Sequence, residues 1–392
     1  MTTRAKQIVR DEVRTAPASG KTVKSVEDIR RRLEAAPGTG IETERRRGRG
    51  ATFNPDARYE PHRREDFSDG WDLVEEPAPL NTEVTIEKPR VIITKNDSPD
   101  ISFDRSINPY RGCEHGCIYC FARPTHAFHD LSPGLDFESK LFAKPNAAQL
   151  LRVELGRPGY RYAPIAMGTN TDPYQPIEAK WGIMRSILEV LAETRHPVMI
   201  TTKSDRVLRD LDILAPMAAQ RLVGVALSVT SLDPNVSRTL EPRAPAARKR
   251  LAAVKALNEA GVPCSVAIAP VVPQVTDHEL EAIVEAAAEA GARGIFYIPV
   301  RLPHEVAPLF RAWLDEHYAD RAAKVMNTIR SIRGGKDNDP NWFTRMRGQG
   351  PWAELLKTRF DIAVRKHGLN RDKRPLRTDL FIPPTGPQLR LF

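Results

Sequence analysis

Cysteine is scarce in this chain of 392 residues: four occur, and three of them crowd into the run from position 113 to 120. Thiols so close in sequence cannot support a disulfide framework, and the usage suits a reducing compartment. Long apolar runs are missing too. No stretch approaches the roughly 20 residues needed to cross a bilayer, so no membrane partner is expected. The opening Met1-Thr-Thr-Arg-Ala-Lys lacks the apolar stretch of a signal peptide, and a cytoplasmic location is expected. Apolar residues are somewhat few, at 41%, and prolines many, at 33. That balance predicts a packed core with loosely structured flanks.

Positive charge is in excess and unevenly spread. The formal net charge is +9; residues 1–66 carry +5 and residues 331–392 carry +7, which leaves the middle at −3. Basic flanks admit nucleic-acid phosphates as a partner; a merely solvated surface is the alternative. Arg45-Arg-Arg-Gly-Arg-Gly has no apolar face to bury. Residues 1–66 are therefore expected to form a largely disordered basic extension, with a short helix near Val26–Leu33. Residues 67–99 form a lead-in.

Between 100 and 303 apolar strands alternate with amphipathic helices. Ala163–Gly168, Pro197–Thr201, Leu222–Val229, Val262–Ala269 and Ile295–Val300 read as strands. Helices are predicted over Trp181–Glu193, from a Ser204 cap to about Leu214, over Ala246–Ala260 before Gly261, and from a Thr276 or Asp277 cap to about Gly291. With one strand ahead of the cysteines this makes about six βα units, fewer than the eight of a closed barrel. The fold class is α/β, as a partial (β/α)6 TIM-like barrel or an open sheet. A helical C-terminal extension over 304–392 follows, with helices at 304–332 and 351–367 and a basic, proline-rich, extended tail from Arg371.

Cys113, Cys117 and Cys120 stand in Asn108-Pro-Tyr-Arg-Gly-Cys-Glu-His-Gly-Cys-Ile-Tyr-Cys-Phe. Three thiolates are one short of the four that close a [4Fe–4S] cube, so one iron keeps an open position. Structural zinc is the alternative, with His115, His126 or His129 as a fourth ligand. Its usual second pair of knuckle ligands is missing, and softness and ligand count favour iron and sulfide.

The C-x3-C-x2-C spacing, with aromatic Tyr119 before the third cysteine, resembles the radical SAM superfamily motif. Asn-Pro-Tyr-Arg-Gly ahead of the loop, Phe-Ala-Arg-Pro behind it, Gly168-Thr-Asn-Thr-Asp-Pro-Tyr-Gln-Pro and Glu241-Pro-Arg resemble the spore photoproduct lyase-like branch, often labelled DNA repair photolyase. The resemblance covers roughly residues 100–300. It implies a [4Fe–4S] cluster on Cys113, Cys117 and Cys120 that reductively cleaves S-adenosylmethionine (SAM) to a 5′-deoxyadenosyl radical. It implies hydrogen abstraction from a substrate not named by the residues, nucleic acid being one class, and a flavodoxin- or ferredoxin-type electron donor.

The same resemblance places Tyr119 near the adenine and Gly168, Thr169 and Asn170 near the methionine amino group, although the usual Gly-Gly-Glu is absent; Asp172, in the same turn, is either a further cofactor contact or a helix cap or turn former. At strand ends, Lys203 suits the SAM carboxylate, Ser228 and Thr230 the carboxylate or ribose, and Arg243 either SAM or an anionic substrate. Gln274 and Arg301 leave later strands, with Arg301 aimed at the same mouth. Gly112 and Gly116 read as glycines that let the loop wrap closely or as ordinary turn glycines. His126 and His129 are candidate acid–base groups.

Photoproduct lyases return hydrogen from a further cysteine downstream of the cluster motif. No cysteine lies between Cys120 and Cys264 here, and Cys264 sits in a strand, where a thiol is usually a small core residue. DNA repair by that route is therefore one alternative. A zinc-stabilised nucleic-acid-binding module without redox chemistry is another.

Overall fold

The computed structural model describes residues 46, 48–59, 80–371 and 374–384; the helix expected at Val26–Leu33 lies outside them. Among the described residues ten strands run in chain order: β1 (Glu83–Ile86), β2 (Thr94–Lys95), β3 (Arg105–Ile107), β4 (Tyr110–Arg111), β5 (Lys140–Ala143), β6 (Ile165–Met167), β7 (Val198–Thr202), β8 (Val223–Ser228), β9 (Cys264–Val271) and β10 (Gly294–Pro299). The main sheet has the order β10-β9-β8-β7-β6-β3-β2. From β3 to β10 every pairing is parallel, and β2 adds an antiparallel edge. These are six parallel strands curled into a partial TIM barrel. β1, β5 and β4 form a small second sheet.

Local chemistry explains the helices between strands. Ile183–Glu193 buries Ile183, Met184, Ile187, Leu188, Val190 and Leu191, the three-to-four spacing of one helical face. It starts two residues later than Trp181 because Gly182 is left-handed and ends the preceding turn. Ala247–Glu259 stops before Gly261, whose φ of 79° suits glycine. Ser204 does act as a cap, accepting from Arg206 N at 3.3 Å, but for a 3-10 turn ahead of the helix Leu211–Ala219. Thr276 does not cap: its hydroxyl accepts from Val272 N at 2.9 Å, and a 3-10 turn Asp277–Glu279 leads into Leu280–Glu289. Val306–His317, Ala322–Ser331 and Gly350–His367 complete the C-terminal extension, with a short turn Thr344–Arg347 between the last two. Among the described residues no helix is long and apolar enough to cross a membrane.

The barrel is hollow because of what its strands point inward. On β8, Leu227 faces the packed core, while Gly224, Ala226 and Ser228 line a cavity with Ser265, Ala267 and Ala269 of β9 and Thr201 of β7. Closed barrels fill this space with layers of branched side chains. Small residues here leave about 1440 Å³. The edge strands β2 and β10 both border the cavity. The C-terminal tail closes the end opposite the cysteines. Arg377 N donates to Arg221 O and Ile382 N to Thr194 O, just ahead of β8 and β7, and Arg374–Leu376 join the cavity lining there.

One segment departs from the expectation of a loose extension. Arg49, Gly50, Ala51 and Ala57 are buried. Arg49 donates to Glu138 O and Leu80 O, and Arg58 pairs with the buried Glu305 at 2.7 Å. Hydrogen bonds and ion pairs anchor this stretch, which is why its lack of an apolar face misleads.

The two faces of β8 make a test. Leu227→Ala, on the core face, is expected to cost about 2–5 kcal/mol. Ala226→Val, pointing into the hollow, is expected to stay within about 0.5 kcal/mol, as an uncrowded surface change does. Urea denaturation of both variants checks the assignment; equal losses would sink the hollow-barrel account.

Candidate active site

β4 runs straight into the cysteine loop. Gly112 and Gly116 have φ of 71° and 67°. A Cβ on Gly112 would stand 2.6 Å from Leu141 Cδ2 and 2.8 Å from Phe137 O, and one on Gly116 would stand 2.8 Å from Glu138 Oε2. These glycines let the loop press against the segment 137–141. Cys113 and Cys117 are buried, Cys120 is partly so, and none is in a disulfide. All three line the same wall of the cavity.

The loop's shape is held by a buried carboxylate. Glu138 accepts from Gly50 N at 2.8 Å, Ala51 N at 2.9 Å and Arg123 Nη2 at 2.6 Å. Arg123, also fully buried, donates to the loop carbonyls of Gly116 and Cys117 and to those of Pro133 and Gly134. The N-terminal segment thus sits directly behind the loop: a Cβ on Gly50 would fall 1.9 Å from Gly116 O. In the sequence Arg123 stands out only within Phe-Ala-Arg-Pro, and nothing singles out Glu138. A charged residue gives no periodic signal of its burial.

Facing the cysteines is the turn after β6. Asn108 organises it, with its amide exchanging hydrogen bonds with Thr169 Oγ1 and accepting from Asn170 N at 3.0 Å. Gly168, Thr169, Asn170 and Asp172 all line the cavity. Asp172, however, is engaged by protein. It accepts from Thr202 Oγ1 at 2.6 Å, Lys203 N at 2.7 Å and Tyr174 N at 2.9 Å, and its Oδ2 lies 3.3 Å from His115 Nδ1, outside hydrogen-bond geometry. It fastens the β6 and β7 ends to the cysteine loop, so its place is that of a positioning carboxylate. Burial alone would raise its pKa; the His115 charge and the donors at Thr202 and Lys203 outweigh this and bring it down to about 2.

Lys203 and Ser228 line the cavity as their strand ends predicted. Lys203 Nζ lies 5.7 Å from the centre of the Tyr119 ring. Burial opposes its charge, but Cys117 and Glu241 prevail and raise its pKa. Tyr119 borders the cavity with its ring, while its hydroxyl donates to buried Glu241. Thr230 donates to the same carboxylate at 2.8 Å and Arg250 pairs with it. Thr230 is not on the cavity wall, a correction to its expected role: the nearer oxygen of Glu241 captures its hydroxyl. Arg243 is also displaced. It lies 3.3 Å from Glu114 and borders a separate cavity of about 460 Å³ with Arg206 and Lys249.

His126, His129 and Gln274 do not join the site. Buried His126 holds Lys140 O at 2.8 Å from Nε2, and burial lowers its pKa to about 4. His129 packs on Phe142 at 4.7 Å. Neither borders the cavity, and Gln274 does not either. Among the described residues no three His, Cys, Asp or Glu groups gather to grip a single metal ion. Cys113, Cys117 and Cys120 border the cavity together, where they could each ligate one iron of a cluster.

Glu241 supports a prediction. Burial would raise its pKa, but Arg250, Lys203 and the Tyr119 hydroxyl bring it down to about 2. A depressed carboxyl stabilises the fold above its unfolded pKa near 4.5, and this is lost as pH falls toward 2. Glu241→Gln is expected to cost about 3–5 kcal/mol at neutral pH by stranding Arg250. It should also show a flatter stability profile between pH 4.5 and 2. Denaturant melts across that range are the check; a variant as acid-sensitive as the parent would refute it.

Comparison with known proteins agrees with this geometry. The model of the Radical SAM superfamily matches residues 107–287. An uncharacterized protein of Mycobacterium tuberculosis is 36% identical over 277 residues, 70% of this chain and 78% of that one. One of Methanocaldococcus jannaschii is 31% identical over 173 residues, 44% of this chain and 62% of that one. Spore photoproduct lyase complexed with dinucleoside spore photoproduct superposes with a TM-score of 0.52 at 14% identity, covering 72% of this chain and 79% of that one. A mutant of that lyase with bound AdoMet and dinucleoside spore photoproduct gives 0.52 at 14%, over 72% and 78%. At such identity the likeness is one of fold. Three cysteines on the wall of a hollow six-stranded half-barrel, and a relative more than one-third identical over most of both chains, make this protein a member of the radical SAM superfamily.

Proposed function

We propose that this enzyme binds a [4Fe–4S] cluster and SAM in the barrel cavity and uses them to abstract hydrogen from an organic substrate held in the same space. The observation that carries the reading is the shared cavity: Cys113, Cys117 and Cys120 border it together with Gly168–Asp172, Lys203 and Ser228. The three thiolates would ligate three irons and leave the fourth to SAM. Bound there, a reduced cluster would supply the electron for reductive SAM cleavage and so the radical chemistry that removes a substrate hydrogen.

The chain's own residues supply ligation and orientation. Lys203 pairs the SAM carboxylate as a charge-assisted partner. The Gly168–Asn170 turn, braced by Asn108, offers polar groups to the methionine ammonium. The Ser228 hydroxyl reaches the carboxylate or ribose, and the Tyr119 ring, fixed at its hydroxyl by Glu241, supports the adenine. Asp172 and Thr230 act through what they hold in place. Arg243, in the outer cavity beside the loop, acts outside the SAM pocket. A low-potential flavodoxin- or ferredoxin-type protein is the expected electron donor.

A nucleic-acid substrate is supported by the basic flanks and by a strongly basic cavity lining. Return of hydrogen from a cysteine is not supported: Cys264 is fully buried in β9 and absent from the cavity wall. Membership of the superfamily argues against the zinc-module alternative.

Anaerobic reconstitution with iron and sulfide, followed by dithionite and SAM, is expected to yield 5′-deoxyadenosine, and Cys113→Ala to yield none. Lys203→Met should weaken SAM binding roughly tenfold to a hundredfold, the worth of one hydrogen bond to a charged group. Equal product from the parent and Cys113→Ala proteins would overturn the reading.

A further inference from the structure

We propose that Arg301 is an oxyanion subsite beside the cysteine loop, taking a phosphate or carboxylate group of the substrate; the assignment to substrate rests on the reading above. Arg301 follows the end of β10 and lines the cavity. Its guanidinium lies 5.4 Å from the centre of the Phe121 ring, and Phe121 is the residue after Cys120. A group bound there would stand next to the loop where the chemistry takes place.

What marks Arg301 is the poverty of its partners. Among the described residues its Nε is buried with no hydrogen-bond acceptor, and its Nη1 meets only Met346 Sδ, at 3.3 Å. Thioether sulfur is a weak acceptor. The neighbouring cations are otherwise occupied. Arg345 grips Asp100 through two nitrogens, at 2.7 and 2.5 Å. Arg333 donates to the carbonyls of Pro299, Val300, Thr344 and Arg345. Asp100 is thus committed to Arg345, and Asp172, the other acid on the cavity wall, is committed to Thr202 and Lys203.

A guanidinium withdrawn from water without an anion is costly, and leaving one there asks for compensation. Its planar fork of donors matches phosphate and carboxylate oxygens. Arg347, on the same turn as Arg345 and Met346, adds a second cation to this wall. The turn is also built at some expense. Phe343 has φ of 65°, held by its N–H donating to Asp100 at 3.0 Å. Strained backbone of this kind persists where the surroundings over-determine it, and it concentrates at binding sites.

The test uses the anaerobically reconstituted full-length protein, titrated with inorganic phosphate and, separately, with acetate. Sodium chloride at matched ionic strength is the control, because exposed charges are screened by salt. Saturable binding of phosphate or acetate is expected, seen by calorimetry and as a rise in melting temperature. Which anion binds tells a phosphate from a carboxylate subsite. Arg301→Met should lose at least tenfold in affinity, and Arg301→Lys should keep part of it. In anion-free buffer the urea midpoint of Arg301→Met should be unchanged or higher, since an unpaired cation is removed.

Equal anion binding by Arg301→Met, no saturable binding by the parent, or a lower urea midpoint, which would make Arg301 structural, would each overturn the proposal. A loss of SAM affinity as large as the loss of anion affinity would also overturn it, by assigning Arg301 to the cofactor. Failure to form 5′-deoxyadenosine is a separate outcome: it would remove the proposed reaction and leave the anion-binding result standing.

Discussion

The fully buried pair of Arg123 and Glu138 holds the cysteine loop in shape, and the rest of the site is assembled around it. Five hydrogen bonds from one guanidinium tie the loop carbonyls and the 133–134 turn to a carboxylate that also receives the amides of Gly50 and Ala51. Such a pair contributes little net stability compared with apolar packing, but breaking it strands a charge. Its value here is positional. The thiols, the N-terminal segment and β5 share one rigid support, and none of them can shift alone.

The opposite wall follows the same design. Asp172 and Glu241 are buried carboxylates with depressed pKa values, and each ties a strand end to the cysteine loop. Asp172 reaches the loop through His115, and Glu241 through Tyr119. Both spend their charge on the protein, which leaves Lys203, Ser228 and the turn after β6 free to face the cavity. Small residues on the inward faces of β8 and β9 keep that cavity open, so charged and polar groups at the strand ends meet across empty space.

Much of this was legible in the residues. The cysteine spacing, the alternation of strands and helices, and the polar residues at strand ends led directly to the cavity wall. Three features were not legible. Thr230 and Arg243 sit at strand and loop positions that suit a ligand, yet nearby carboxylates capture them. Residues 49–58 read as too charged to pack, yet they are anchored through Glu138 and Glu305. His126 looked like a catalytic base beside a metal loop and is a core histidine, bonded to Lys140 O. In each case a partner outside the residue's own helix or strand decides the role, and periodicity carries no trace of such pairs.

The amino-acid order alone determines the superfamily, the three thiols and the βα rhythm, because these depend on local spacing and on side-chain chemistry. Only the tertiary structure decides that the barrel is hollow, which strand-end groups reach the hollow, and that Arg301 stands beside the loop with no hydrogen-bonded carboxylate among the described residues. Those properties depend on which charges find each other when distant segments pack. Burial makes that matching decisive, since a charge withdrawn from water must be paired, bonded or left for a ligand.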